Sequence, residues 1–221
     1  MRKLLIIPLL FFIFLFQFCS KPKLTSPINI ENAKLNPNAK PFFADLLPTD
    51  SLVISNKPYG ITLTNIPGYI TFPDTAFGHN YYLSQIVFHT PSEHTVKGKH
   101  FPAEMQFICI DTAGNIAVLS VFINYGNPNP AIQTVVSHLP KKNSSVKLNS
   151  QFQVNLLLPL SVNYWYYVGS LTIPPYKQNV RWFILRKPIS ASKQQIQKLQ
   201  QAEGKNIQPL QPLGNRQITM F

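Results

Sequence analysis

The sequence predicts a single, mainly β domain built on one large sheet. Apolar residues make up 45% of the 221 residues and charged residues 13%, which allows a substantial core and argues against disorder. The 20 prolines are scattered between short strand-like runs. Residues 81–89 and 103–110 alternate in polarity, so each strand offers one face of side chains to a common site. We therefore expect a large, mostly antiparallel sheet with a few short peripheral helices.

Residues 1–19 have the pattern of a secretory signal peptide, which leaves residues 20–221 as the folded domain. Arg2 and Lys3 precede an apolar run over residues 4–16, and a polar exit follows. The run is short for a membrane span. Cys19 stands where a bacterial lipoprotein carries its lipidated cysteine, although the preceding Phe18 is bulky for that motif. A lipidated Cys19, a cleaved soluble form and an uncleaved anchor all remain open.

This N-terminus predicts export from a bacterial cell, to the periplasm, to the outer membrane as an anchored protein, or to the medium. Membrane association would then occur through the signal region or a lipidated Cys19. The other cysteine, Cys109, alternates with Ile108 and Ile110 in an apolar run. We interpret Cys109 as a buried small hydrophobic residue rather than a reactive thiol.

Strand-like runs follow one another along the domain after a Pro- and Asn-rich, loop-like segment over residues 20–50. The predicted strands are residues 51–55, 61–66, 69–72, 81–89, 103–110, 116–123, 164–171 and 180–185. Residues 116–123 are almost continuously apolar, which indicates a central strand buried on both faces. Residues 151–158 fit either a strand or a loop, and the tail around 215–218 is strand-like.

Two helices are predicted at the periphery. Residues 131–139 carry apolar side chains at helical spacing and end before Pro140. Ser192 followed three residues later by Gln195 forms a capping box. The second helix therefore begins after Ser192 and ends near Ala202, with Gly204 as a stop.

The net charge of +12 is spread along the chain, and no run of basic residues exceeds two. We find no nucleic-acid-binding motif, so a nucleic-acid partner is not expected. A solvated basic surface is the plain interpretation, and attraction to an anionic lipid or polysaccharide surface is the alternative.

Four blocks of sequence carry a family resemblance. They are SPINI at 26–30, FHTPSEHTVKGKHFPAEMQF at 88–107, GSLTIPP at 169–175 followed by Trp182, and PLGNRQI at 212–218. Their order and spacing over residues 24–221 resemble the α-class carbonic anhydrases. The resemblance implies one domain with a conical cavity, in which three histidines hold a zinc ion. That ion lowers the pKa of its bound water to about 7 and supplies hydroxide at neutral pH.

The three zinc-ligand positions of that family fall on Val87, His89 and Gln106, so one histidine of three is retained. Valine offers no lone pair, and a glutamine carbonyl is a hard oxygen that zinc binds poorly. The sequence therefore predicts no cofactor. The alternative is zinc held by a rebuilt site such as His89, His94 and Gln106.

The residues around the metal are partly kept. Glu93 and Thr172 match the catalytic pair in which a carboxylate accepts the threonine proton, here interpreted as vestigial. Gln85 and Glu104 match the groups that support the first and third histidines. The resemblance also implies that the cavity wall contains Ile108, Val118, Leu171, Ile173 and Trp182. Ile173 replaces a polar residue of many family enzymes, and residues 56–59, where the rim proton shuttle falls, contain no histidine.

Two functions follow from these observations. In the first, the protein is an exported carbonic-anhydrase-like module without zinc or appreciable carbon dioxide hydration. It would act by binding a protein, an anionic surface or a small ligand. In the second, it is a working carbonic anhydrase with a rebuilt zinc site, which reversibly hydrates carbon dioxide to bicarbonate.

Overall fold

A computed structural model describes residues 24–73 and 79–221. The predicted signal peptide lies outside the described residues. Within them, neither of the two helices is long and apolar enough to cross a bilayer.

The described chain consists of 16 short or medium strands, two α-helices and one 3₁₀ turn. The strands are β1 (Asn29–Ile30), β2 (Lys34–Leu35), β3 (Phe43–Leu46), β4 (Val53–Lys57), β5 (Gly60–Thr64), β6 (Gly68–Phe72), β7 (His79–His89), β8 (Thr95–Val96), β9 (Lys99–His100), β10 (Ala103–Ile110), β11 (Ile116–Tyr125), β12 (Ser145–Lys147), β13 (Tyr164–Ser170), β14 (Gln178–Leu185), β15 (Ile189–Ala191) and β16 (Thr219–Met220). The helices are α1 (Pro130–Ser137) and α2 (Lys193–Glu203), and the 3₁₀ turn is Val154–Leu157.

Thirteen of the described strands form one sheet. Ten follow the order β12-β4-β5-β7-β10-β11-β14-β13-β16-β2; in addition, β6 pairs with β7, β3 pairs with β6, and β15 pairs with β11. Most neighbours are antiparallel, as predicted. The described exceptions in this sheet are the parallel pairs β11–β14, β11–β15 and β16–β2. The first of these lies at the centre of the sheet. A small second sheet joins β1, β8 and β9.

The central strands separate two apolar clusters, because alternate side chains point to opposite faces. One cluster contains Ile86, Phe107 and Leu119, and the other contains Val87, Ile108, Val118 and Trp182. All eight residues 116–123 are buried, which confirms the predicted strand buried on both faces. The second cluster forms the face that carries the candidate site.

Both predicted helices are present, and side chains cap their N-termini. Asn129 accepts a hydrogen bond from the Ile132 amide at 3.0 Å, and Pro130 begins α1. In α2 the Ser192 hydroxyl accepts from the Gln195 amide while the Gln195 side chain accepts from the Ser192 amide, which confirms the capping box. Gly204 ends α2 with a positive φ of 68°.

The structure differs from the sequence expectation in three segments. The loop-like segment over 20–50 contains β1, β2 and β3, whose two to four residues are too few to show an alternating pattern. Residues 154–157 form a 3₁₀ turn, which resolves the choice between strand and loop. The C-terminal strand lies at Thr219–Met220, after the predicted 215–218, because it pairs with β13 and β2 at that register.

Candidate functional site

Strand pairing brings the predicted ligand positions together on one face of the sheet. The antiparallel register of β7 and β10 places Val87 opposite Gln106 and His89 opposite Glu104. On the other side of β10, Gln106 lies opposite Ser120 of β11. All five side chains are buried. The floor of the site is therefore set by three adjacent strands.

The Gln106 carboxamide lies between the two residues predicted as the catalytic pair. Its Nε2 donates to Glu93 Oε2 at 2.8 Å and more weakly to Glu104 Oε1 at 3.3 Å. Its Oε1 accepts from the Thr172 hydroxyl at 3.2 Å. The Thr172 hydroxyl thus donates its hydrogen bond to Gln106, and not to Glu93 as the resemblance implied. Glu93 also accepts the Gln208 backbone amide at 3.0 Å.

Glu104 accepts hydrogen bonds from three further donors. The His94 ring Nδ1 lies 2.8 Å from Oε1, the His94 backbone amide 2.9 Å from Oε2, and the Ser120 hydroxyl 2.8 Å from Oε1. Burial alone would raise the pKa of Glu104. The charge and hydrogen bonds of His94 outweigh that effect and lower the pKa to about 2. Glu104 is therefore a buried carboxylate that stays ionised.

His94 has both ring nitrogens in hydrogen bonds. Nδ1 faces Glu104, and Nε2 lies 2.7 Å from the Tyr167 hydroxyl. That hydroxyl in turn lies 2.7 Å from the hydroxyl of Ser26, in the first sequence block. Burial raises the pKa of Tyr167 well above its usual value. This chain of contacts fixes His94 in the frame of the site and leaves it no free lone pair for a metal.

His89, the retained ligand position, is fully buried, and its two ring nitrogens have no hydrogen-bond partner among the described residues. Its Nε2 lies 3.5 Å from Glu93 Oε2. The next residue, Thr90, donates to Glu203 Oε2 at 2.7 Å. Burial raises the pKa of Glu203. The end of α2 is thereby tied to the strand that carries His89.

The predicted cavity wall is apolar and tightly packed. Its members belong to the second cluster, at 0–7% exposure: Ile108, Val118, Leu171, Ile173 and Trp182. Val87 packs against the backbone of Gly60, so closely that a Cβ at position 60 would lie only 3.2 Å from Val87 Cγ1. Gln85 is half-buried and lies opposite Ile108 on β10.

These residues do not fit a zinc ion. Val87 has no donor atom, and Gln106 uses its amide and its carbonyl in hydrogen bonds to Glu93 and Thr172. His94, the residue of the rebuilt site, is held by Glu104 and Tyr167. Within residues 24–73 and 79–221, no group of three or more His, Cys, Asp or Glu side chains is placed to hold a metal.

Comparisons with known proteins identify the family of this chain. The family model for eukaryotic-type carbonic anhydrase matches residues 15–221. The chain belongs to that family. A carbonic anhydrase of Neisseria gonorrhoeae is 31% identical over 92% of this chain and 79% of its own length, and one of Pectobacterium carotovorum is 32% identical over 92% and 82%.

Solved structures of carbonic anhydrases have the same fold. The α-carbonic anhydrase of Photobacterium profundum superposes with a TM-score of 0.82 at 33% identity, covering 91% of each chain. The Thermovibrio ammonificans α-carbonic anhydrase, solved with the inhibitor sulfanilamide, gives 0.82 at 34% identity, covering 89% of this chain and 86% of its own. The predicted family and fold are confirmed.

Several residues of the site were not predicted as such from the sequence. Ser120 reaches Glu104 only because β11 pairs with β10, and Tyr167 reaches His94 from β13. Glu203 reaches Thr90 from 113 residues away. The one signal in the sequence is that Ser120 is a polar residue inside an otherwise apolar run, which could have indicated a role in the site.

Proposed function

We propose that this carbonic anhydrase family member binds no zinc and does not hydrate carbon dioxide, and that it acts as a binding or structural module. The observation that carries the proposal is the Gln106 carboxamide. It stands at a zinc-ligand position with its donor end on Glu93 and its acceptor end on Thr172. These bonds satisfy groups that would otherwise be buried without partners.

Without the metal, the reaction lacks its nucleophile. In the family, zinc supplies hydroxide at neutral pH by lowering the pKa of bound water. The Thr172 hydroxyl orients such a hydroxide only if its own proton is directed to a carboxylate, and here it is directed to the Gln106 carbonyl. The buried side chains of Val87 and Ile173 are apolar and cannot activate a water molecule in place of a metal.

The proposal is tested by metal analysis and by the assay of hydration. Protein purified with zinc present should contain far less than one zinc per chain, and stopped-flow measurements should show no acceleration of carbon dioxide hydration. Stoichiometric zinc together with hydration that a sulfonamide inhibits would establish the alternative function, a carbonic anhydrase with a rebuilt site.

A gain-of-ligand variant tests the register of the site. The double substitution Val87→His with Gln106→His should create a site with His89 that binds one zinc per chain, because Glu104 remains beside position 106. Adding His89→Ala to this variant should abolish zinc binding. Equal zinc content with and without His89 would show that the metal binds elsewhere.

We also propose that the protein is exported from a bacterial cell and associates with a membrane through its N-terminus. The basic start, the apolar run over residues 4–16 and Cys19 support this proposal. Mass spectrometry should show either a diacylglycerol-modified Cys19 as the first residue or an uncleaved chain in the membrane fraction. An unlipidated chain cleaved near Cys19 would support export and contradict membrane association. A mature chain that retains Met1 in the cytoplasmic fraction would contradict export.

A further inference from the structure

One long stretch of the chain carries no acidic residue. Residues 112–202 contain no Asp or Glu. The basic residues in the stretch are Lys141, Lys142, Lys147, Lys177, Arg181, Arg186, Lys187, Lys193 and Lys198. The ion pairs His89–Glu93 and His94–Glu104 lie in the site and involve none of these basic residues. The positive potential of this stretch is therefore not neutralised by its own carboxylates.

Three of these lysines surround one depression. The depression has a volume of about 580 Å³ and lies where the end of α1 meets α2. Its rim contains the exposed Lys141, Lys142 and Lys198, and its wall includes the apolar side chains of Val136, Leu139 and Ala202. The structure thus combines a cationic rim with an apolar wall.

The base of the depression is rigidly built. The buried Asn56 side chain donates to the carbonyl of Pro140 at 3.3 Å and to the carbonyl of Ala202 at 3.1 Å. The backbone of Asn56 also bonds to Asn143 and Ser144. One side chain therefore joins the two segments that carry the lysines and fixes their spacing.

We infer that this depression docks on the anionic phospholipid headgroups of a bilayer. A headgroup offers a phosphodiester for the lysines and apolar glycerol and acyl groups for Val136 and Leu139, which a free phosphate or a polysaccharide does not combine. The described residues begin at 24, five residues after Cys19, so a lipid on Cys19 would hold the domain near the bilayer. The depression would add an electrostatic contact with anionic lipid to that anchor. This role goes beyond the proposed loss of catalysis.

Vesicle binding of the full chain tests the inference. We expect tighter binding to vesicles of phosphatidylglycerol and phosphatidylcholine than to phosphatidylcholine alone, with the difference abolished at high salt. The triple substitution Lys141→Gln, Lys142→Gln, Lys198→Gln should weaken binding to the anionic vesicles on the order of 100-fold, because each lysine near such a surface contributes about fivefold.

The control removes the same charge elsewhere. Lys34→Gln, Lys99→Gln and Lys187→Gln change exposed lysines that do not line the depression, and we expect a much smaller loss. Equal losses in the two triple variants would overturn the inference in favour of diffuse charge. Absence of any preference of the unmodified chain for anionic vesicles would also overturn it.

Two further arms keep the test decisive. If the triple variant unfolds, the single substitutions Lys142→Gln and Lys198→Gln should each weaken binding about fivefold. Dextran sulfate serves as a soluble anionic polysaccharide. A triple variant that loses dextran sulfate binding while it keeps phosphatidylglycerol binding would assign the depression to polysaccharide and contradict a lipid partner.

Discussion

At position 106 a carboxamide stands between a carboxylate and a hydroxyl, and its two ends are chemically different. Nε2 can only donate and meets Glu93 and Glu104, whereas Oε1 can only accept and meets Thr172. A buried polar group left without its partner costs about 1–3 kcal/mol. Gln106 therefore stabilises the floor of the site, because it donates to both carboxylates and accepts from the Thr172 hydroxyl.

Glu104 makes the stability of this floor depend on pH. Its pKa falls from an ordinary 4.5 to about 2 in the folded state. Because the folded pKa is depressed, the stabilisation is complete above pH 4.5 and is lost as the pH falls toward 2. This shift corresponds to about 3 kcal/mol at pH 7.

Glu104→Gln should therefore reduce the free energy of unfolding by about 3 kcal/mol at pH 7 in urea titrations. The difference from the unmodified protein should shrink by about 2 kcal/mol when the titration is repeated at pH 3. Glu31→Gln, at an exposed position, should change neither value by more than about 0.5 kcal/mol. A difference that stays constant between the two pH values would show that the charge of Glu104 is not responsible.

At the scale of elements, α2 connects the periphery to the site. Its first turn is capped by Ser192 and Gln195. Its last residue, Glu203, accepts a hydrogen bond from the hydroxyl of Thr90, the residue after His89. Ser192→Ala removes the side-chain half of this cap and should cost about 1 kcal/mol of unfolding free energy. Ser150→Ala, at an exposed position outside the helices, provides the matched comparison. Equal stability of the two variants would mean that the cap contributes nothing to α2.

Elements with a repeating pattern were predictable from the sequence, and elements without one were not. The strand β11 is almost continuously apolar, and β7 and β10 alternate, so burial alone fixes their type. The strand β3 has four residues, and its pairing with β6 exists only in the folded state. Local sequence carries no information about such a pairing, which explains why residues 20–50 were expected to be a loop.

For the molecule as a whole, strand pairing brings the predicted site residues together, but their hydrogen bonds could not be predicted from the sequence. The positions of Val87, His89 and Gln106 followed from the resemblance, and the register of β7 and β10 places them together. The direction of the Gln106 amide depends on Glu93 and Thr172, which lie in the loops that follow β7 and β13. Such an orientation is decided by three-dimensional neighbours that lie 13 and 66 residues away along the chain.

The pairing of Val87 with Gln106 across two strands also bears on the history of the protein. Under the proposed function, a single substitution would supply only one of the two imidazoles that zinc needs beside His89. The first step back would also break the bonds of Gln106 or crowd the space beside Gly60. Under the proposed function, reversion one position at a time would therefore lower stability before it restored any hydration activity.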